Sequence, residues 1–254
     1  MEQLILNMST LKVEYKKPFS INPMDKYKIC KYPAHTVMNE KSYTLFTKVL
    51  IHADEIPQDD AGILVRPGMH SGFSFTKPNY LKFGFWFDFK DKEPFYSEIC
   101  YGLNEEEISN FLSLVVIDNI EQRNMKVYLN KKEIGVLYYP ENSTKHGYTN
   151  THYYFGVSNP YIIARPYDQY GSFTFGESGL LDVAIDSIDI LDDIQNNIVK
   201  HPRLGYNIFD DNYELKKNFV FYYDFIDVSN YKIWDVSENN NFLCKILDRD
   251  NNIF

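Results

Sequence analysis

The run from Leu81 to Phe89 is the chain's most informative stretch for chemistry. Phe83, Phe85, Phe87 and Phe89 fall on one parity; Gly84, Trp86 and Asp88 fall on the other. Successive side chains of a strand point to opposite faces, so four phenylalanines on one parity predict a buried face between sheets. Trp86 and Asp88 then stand together on the opposite face. An indole packs on the C–H face of a pyranose, and a carboxylate accepts hydrogen bonds from sugar hydroxyls. The competing reading has Trp86 covered by another segment, such as the tail of the chain.

Two Arg-Pro turns offer matching donors. Arg66-Pro67-Gly68-Met69-His70 places Arg66 on the parity of Gly62 and Leu64, with His70 close behind. A guanidinium at a strand end can grip a hydroxyl or a carboxylate with its forked donors. Its structural alternative is an ion pair with Asp59 or Asp60. Arg165-Pro166-Tyr167-Asp168 repeats the combination of arginine, aromatic and acid. His146, Thr149, Asn150, His152, Tyr153 and Tyr154 form a further polar-aromatic cluster. The expected ligand-binding residues are Trp86, Asp88, Arg66, His70, Tyr153, Arg165 and Tyr167, with no catalytic residue assigned.

Metal and hydrolytic chemistry find less support. His146 and His152 lack a zinc-ligand spacing and have no cysteine beside them. Asp59-Asp60 and Asp192-Asp193 supply hard oxygens, but neither follows the twelve-residue calcium loop. No cofactor is required and calcium is left open. Glycoside hydrolysis needs two carboxylates flanking one bond. Asp186 and Asp189, three apart on an expected strand, would point to opposite faces. Glu98 and Glu177 are unpaired acids.

Such residues need a scaffold of strands, and period-two patterning dominates. Runs at Thr44 to Ile51, Gly62 to Arg66, Gly72 to Phe75, Leu81 to Phe89, Met125 to Leu129 and Ile134 to Tyr139 predict strands. So do Tyr153 to Val157, Ser172 to Phe175, Val183 to Leu191, Phe219 to Ile226 and Phe242 to Leu247. Phe111 to Ile117 is apolar on both parities and predicts a central strand. Asn130-Lys131-Lys132 marks a hairpin turn. Helices are expected only as short pieces, one capped at Asn104 and one over Asp192 to Lys200. His201 to Tyr213 looks like a connector.

The chain has 254 residues, of which 17% are aromatic and 24% charged, enough for one large all-β domain or a domain with an appendage. A net charge of −9 repels phosphate backbones and argues against nucleic acid as a partner. Cys30, Cys100 and Cys244 are too few and too scattered for a disulfide framework and read as buried thiols of a reducing compartment. No apolar stretch approaches the roughly 20 residues of a membrane helix, and no leader is visible, so the expected location is cytoplasmic without membrane insertion.

Residues from about Ser42 to Asp193 resemble a concanavalin A-like, or laminin-G-like, jelly-roll domain. The resemblance rests on Tyr43 to Val49, on Asn110 to Gly135 with Met125 to Asn130, and on Phe175-Gly176 followed by Leu181-Asp182 and Ile188-Asp189-Ile190. Lys131 stands where that family usually has glycine. Phe221 to Phe225, Asp235 to Ser237 and Asn239 to Asn241 resemble the opening of such a domain. The resemblance implies an all-β, two-sheet antiparallel jelly-roll sandwich with one or two short helices. Residues 1–200 would form it, with 201–254 packing on the sandwich or beginning a second repeat. It further implies a non-catalytic, lectin-like module that binds a glycan or polysaccharide, linked to bacterial surface-polysaccharide metabolism. A glycan-active enzyme of the same fold, or a structural protein-interaction jelly roll, remains an alternative. Its partners would be a glycan, with a second copy or an enzyme also admitted.

Overall fold

The structure, a computed structural model, describes residues 19–21, 27–29, 40–56, 60–66, 71–146, 154–158, 173–200, 207–224, 228–229, 232–237 and 242–245. Strands follow in chain order: β1 Phe19–Ile21, β2 Tyr27–Ile29, β3 Tyr43–Ile51, β4 Asp60–Arg66, β5 Ser71–Thr76, β6 Tyr80–Phe89 and β7 Phe95–Gly102. After helix α1 Glu105–Ile108 come β8 Leu112–Asn119, β9 Asn124–Leu129, β10 Lys132–Tyr138, β11 Ser143–Lys145, β12 Tyr154–Ser158 and β13 Phe173–Leu181. Helix α2 Ile190–Asn197 precedes β14 Ile198–Lys200, β15 Asn207–Phe209, β16 Phe219–Tyr223, β17 Val228–Ser229, β18 Lys232–Trp234 and β19 Phe242–Lys245.

These strands make an all-β antiparallel sandwich. The first sheet runs β1–β13–β3–β8–β9–β10, with β16 also on β13. The second runs β11–β6–β5–β4–β12–β2–β19–β18–β17, with β7 on β6. Strands after residue 200 therefore enter both sheets: β16 joins the first, and β17, β18 and β19 extend the second. A small pair, β14–β15, stands apart.

Alternation explains the core. Leu45, Val49, Leu112, Leu114, Val116, Met125 and Val127 of the first sheet meet Phe73, Phe75, Phe83, Phe85 and Phe87 of the second, all buried. Phe89 is the exception to the expected buried row. It lies half-buried at the rim, with the Lys92 Nζ 5.7 Å from its ring centroid. β8 sits between β3 and β9, and its two faces are both used, as a doubly apolar strand requires. Its Val115 and Ile117 turn outward into a second apolar cluster with Phe46, Leu181, Ile194, Phe209, Phe219 and Tyr222.

Helix α2 closes that outer cluster through Ile190, Leu191 and Ile194. This corrects the strand expected over Val183 to Leu191: residues 183–189 are turns and coil, and the helix begins at Ile190. Its apolar positions suit one helical face against a sheet that already offers Phe46 and Val115. The shift also moves the acids. Asp189 and Asp192 both reach Lys131 Nζ, at 2.6 Å each. Lys131 occupies the β9–β10 turn at φ 68°, beside Asn130 at φ 47°. Positive φ at both central positions is the geometry of a two-residue hairpin turn. A lysine therefore serves where glycine is usual, and the two carboxylates hold its side chain.

At one end of the sandwich the sheets are tied by a buried ion pair. Lys145 of β11 donates to Asp118 Oδ2 of β8 at 2.7 Å, with both side chains at most 1% exposed. Tyr139 donates to Asp118 Oδ1, and Lys145 also donates to the Lys41 carbonyl.

Gly72 is a position where backbone conformation demands glycine. Its φ is 138°, and a Cβ there would sit 2.2 Å from the Leu64 carbonyl oxygen, which is backbone and cannot swing aside. Gly72→Ala is expected to cost about 1–3 kcal/mol from backbone strain, with more from the clash. A urea titration matching wild type would show that β4 and β5 can separate without penalty.

Candidate functional site

Trp86 and Asp88 lie on the outer face of the second sheet. On β6 the residues that alternate with the buried phenylalanines are Lys82, Gly84, Trp86 and Asp88. Trp86 lies opposite Tyr96 of β7, and the two rings pack with centroids 5.3 Å apart and planes tilted by 43°. Trp86 is half-buried, and part of it also packs against the main core. The expected open platform is thus partly covered, with Tyr96 of the next strand contributing to the cover.

One pair along, Gly84 stands between Gly72 of β5 and Glu98 of β7. Three strands there present two glycines and one exposed acid. A Cβ at Gly84 would fall 1.9 Å from the Tyr96 hydroxyl and 2.5 Å from Cζ of that ring. Tyr96 therefore lies across the glycine floor. Lys82 and Ser74 continue the face.

In the other direction stands Asp88. β11 pairs with Phe87 to Phe89, beyond the last β5 pair at Gly84. The chain after β11 brings His146 Nδ1 onto Asp88 Oδ1. The His146 amide donates to the Trp86 carbonyl at 3.1 Å, so Trp86 and His146 are fixed to each other through backbone. A carboxylate on one ring nitrogen orients the imidazole.

Among the expected site residues, Trp86 and Asp88 are brought together on this face. Arg66 is described in backbone only. A register shift between Gly62 and Leu64 reverses the parity that these residues were expected to share. Gly62 pairs with Ser74, whereas Leu64 pairs with Phe73 and Arg66 with Ser71, the core-side register. His70, Tyr153, Arg165 and Tyr167 lie outside the described residues, as do Thr149, Asn150 and His152. Tyr96 escaped sequence reasoning, and Glu98 stood out only as an unpaired acid, because β7 is an edge strand with no clean alternation. The Glu93-Pro94 break before a run of aromatic and apolar residues was its available signal. His146 was grouped with His152 by proximity in sequence, whereas its partner is Asp88.

Of the acids considered as metal ligands, Asp59 lies outside the described residues, and Asp60, Asp192 and Asp193 have other partners. Asp60 accepts from Thr76 Oγ1, and Asp193 accepts from the Tyr213 hydroxyl at 2.8 Å. Among the described residues no group of three or more His, Cys, Asp or Glu is placed to hold a metal ion. Glu177, buried, takes a 2.8 Å hydrogen bond from Gln195 Nε2, with Lys48 Nζ at 3.9 Å. Cys100, expected to be buried, is an exposed free thiol on β7.

No known family profile matches the chain, and no curated protein does. Solved structures do. A Bacteroides ovatus protein provisionally assigned to carbohydrate binding aligns over 92% of this chain and 60% of its own, with TM-score 0.55 and 13% identity. The botulinum neurotoxin serotype C1 binding domain aligns over 71% of this chain and 46% of its own, with TM-score 0.48 and 20% identity. The chain thus spans less than two thirds of either structure. At 13% identity the Bacteroides likeness concerns the fold.

Proposed function

We propose that this chain is a non-catalytic glycan-binding module, lectin-like in action, whose ligand sits on the outer face of β6 and β7. One observation carries the reading: Trp86 and Tyr96 pack together beside a side-chain-free glycine pair, with Asp88 and His146 on the same face. A pyranose needs an apolar ring for its C–H face and polar groups for its hydroxyls, and this face supplies both. The carbohydrate-binding assignment of the Bacteroides protein of the same fold agrees with it.

The face favours binding over hydrolysis. Its two acids, Asp88 and Glu98, flank the aromatic pair on opposite sides. Asp88 and Gly84, the partner of Glu98, are four strand residues apart, about 13 Å along the backbone. Paired catalytic carboxylates of glycosidases stand about 5–9.5 Å apart.

The test is a printed array of neutral and sialylated oligosaccharides, followed by titration of any glycan retained. Trp86→Ala should abolish retention. Asp88→Ala should weaken it roughly 2- to 12-fold, the value of about 0.5–1.5 kcal/mol for one hydrogen bond. Affinity per sugar unit should be high micromolar to millimolar. Retention unchanged in both variants would remove this face as the site.

A further inference from the structure

We infer that Tyr96 is a gate: in the free protein its ring occupies the place over the glycine floor that a pyranose takes on binding. This rests on the glycan reading of the same face. The floor is specific. Gly84 pairs with Gly72 on the adjacent strand, so no side chain of that strand stands beside it, and the place where a Gly84 side chain would project is a side-chain-free floor. Such a patch admits a ring close to the backbone. Tyr96 fills it, since the missing Cβ of Gly84 would lie 1.9 Å from its hydroxyl oxygen and 2.7 Å from Cε2. The same ring packs on Trp86 with centroids 5.3 Å apart.

A tyrosine presents a six-membered ring with a hydroxyl at its far end. It thus covers the indole and points a polar group at the floor, as a sugar ring would. Only the side chain has to move, because β7 stays paired with β6 along its length, and the Tyr96 ring is half-buried rather than enclosed. Tilted aromatic pairs are weak contacts that another ring can replace. The ligand class follows: a pyranose that offers a bare C–H face to Trp86 and hydroxyls to Asp88, His146 and Glu98. A gate of this kind reduces apparent affinity by the fraction of molecules in which it is open.

The experiment uses the whole chain carrying Trp234→Phe, which leaves Trp86 as its single tryptophan. Two readouts are taken: acrylamide quenching of Trp86 without ligand, and retention on the oligosaccharide array. Tyr96→Ala should raise quenching and strengthen retention, about tenfold if the gate is open a tenth of the time. Gly84→Ala should also raise quenching, because its methyl group displaces the tyrosine, yet it should lose retention because that methyl fills the floor. Unchanged quenching in Tyr96→Ala, or weaker retention, would overturn the gate and make Tyr96 a fixed wall, leaving the glycan reading intact. If neither wild type nor Tyr96→Ala retains any array glycan, the glycan reading fails and the sugar-displaced gate fails with it.

Discussion

Lys145→Met should destabilise the protein by about 3–5 kcal/mol at neutral pH, and Asp118→Leu combined with Lys145→Met should restore most of that loss. Both charges of the pair are at most 1% exposed, with Nζ and Oδ2 2.7 Å apart. Removing one partner of a buried pair leaves the other charge without compensation, and that is what costs about 3–5 kcal/mol. Replacing both with apolar groups removes the burial cost of two ions, so such exchanges are commonly neutral or stabilising. Lys145 also donates to the Lys41 carbonyl, and its Nζ stands 4.9 Å from the Tyr43 ring centroid. The double variant should therefore fall somewhat short of wild type. Urea unfolding of both variants decides the matter. A single variant as stable as wild type would show that water reaches this end of the core.

The same pair fixes a pH dependence. Burial pushes the Asp118 carboxyl up from 3.8 to about 6, against the pull of Lys145 and the hydrogen bonds from Lys145 and Tyr139. The folded state thus binds this proton more tightly than the unfolded chain. The stability it contributes is complete below about pH 4 and is lost as pH rises through about 6. Unfolding free energies of wild type and Asp118→Asn, measured from pH 4 to 7, should therefore diverge. The wild type should lose ground relative to the variant as pH rises. A constant difference across that window would refute the shifted carboxyl.

Much of the fold was legible because burial writes itself into alternation. β3, β6 and the β9–β10 hairpin have a core face and a second face of different character, and β8 announces its central place by being apolar on both parities. β7 was not legible. As an edge strand that pairs with β6 among the described residues, it shows mixed exposure along its whole length, so no parity stands out. Residues 183–191 misled for a related reason. Val183, Ile185, Ile188 and Ile190 all serve the outer cluster, but turns and a helix start bring them there instead of a strand. Lys145 and Asp118 were invisible because single charged residues on strands read as solvent-facing. Only the meeting of β8 and β11 shows that they pair.

The site divides along the same line. Trp86 and Asp88 share a face by parity, which one strand suffices to show. Tyr96 and His146 reach them by pairing between β6, β7 and β11, and no local pattern numbers those pairings. Arg66 shows the opposite hazard, because one bulge between Gly62 and Leu64 reverses the parity of every residue after it.

Phe85→Ala and Trp86→Ala, adjacent in sequence, should separate stability from binding. Phe85 is fully buried and packs on Phe87 with ring centroids 5.5 Å apart. Its truncation leaves a cavity between two sheets whose strands are fixed by pairing on both sides, so collapse is limited. The expected loss is about 3–5 kcal/mol. Trp86 is half-buried, and its ring partner Tyr96 already lies over Gly84. Its truncation should therefore cost less stability than that of Phe85 while removing the ring on which a sugar would pack. Denaturant midpoints and array retention, measured on the same preparations, give both readings. Were Trp86→Ala to unfold as readily as Phe85→Ala, the indole would belong to the core, and the outer face of β6 would lose its claim to a ligand.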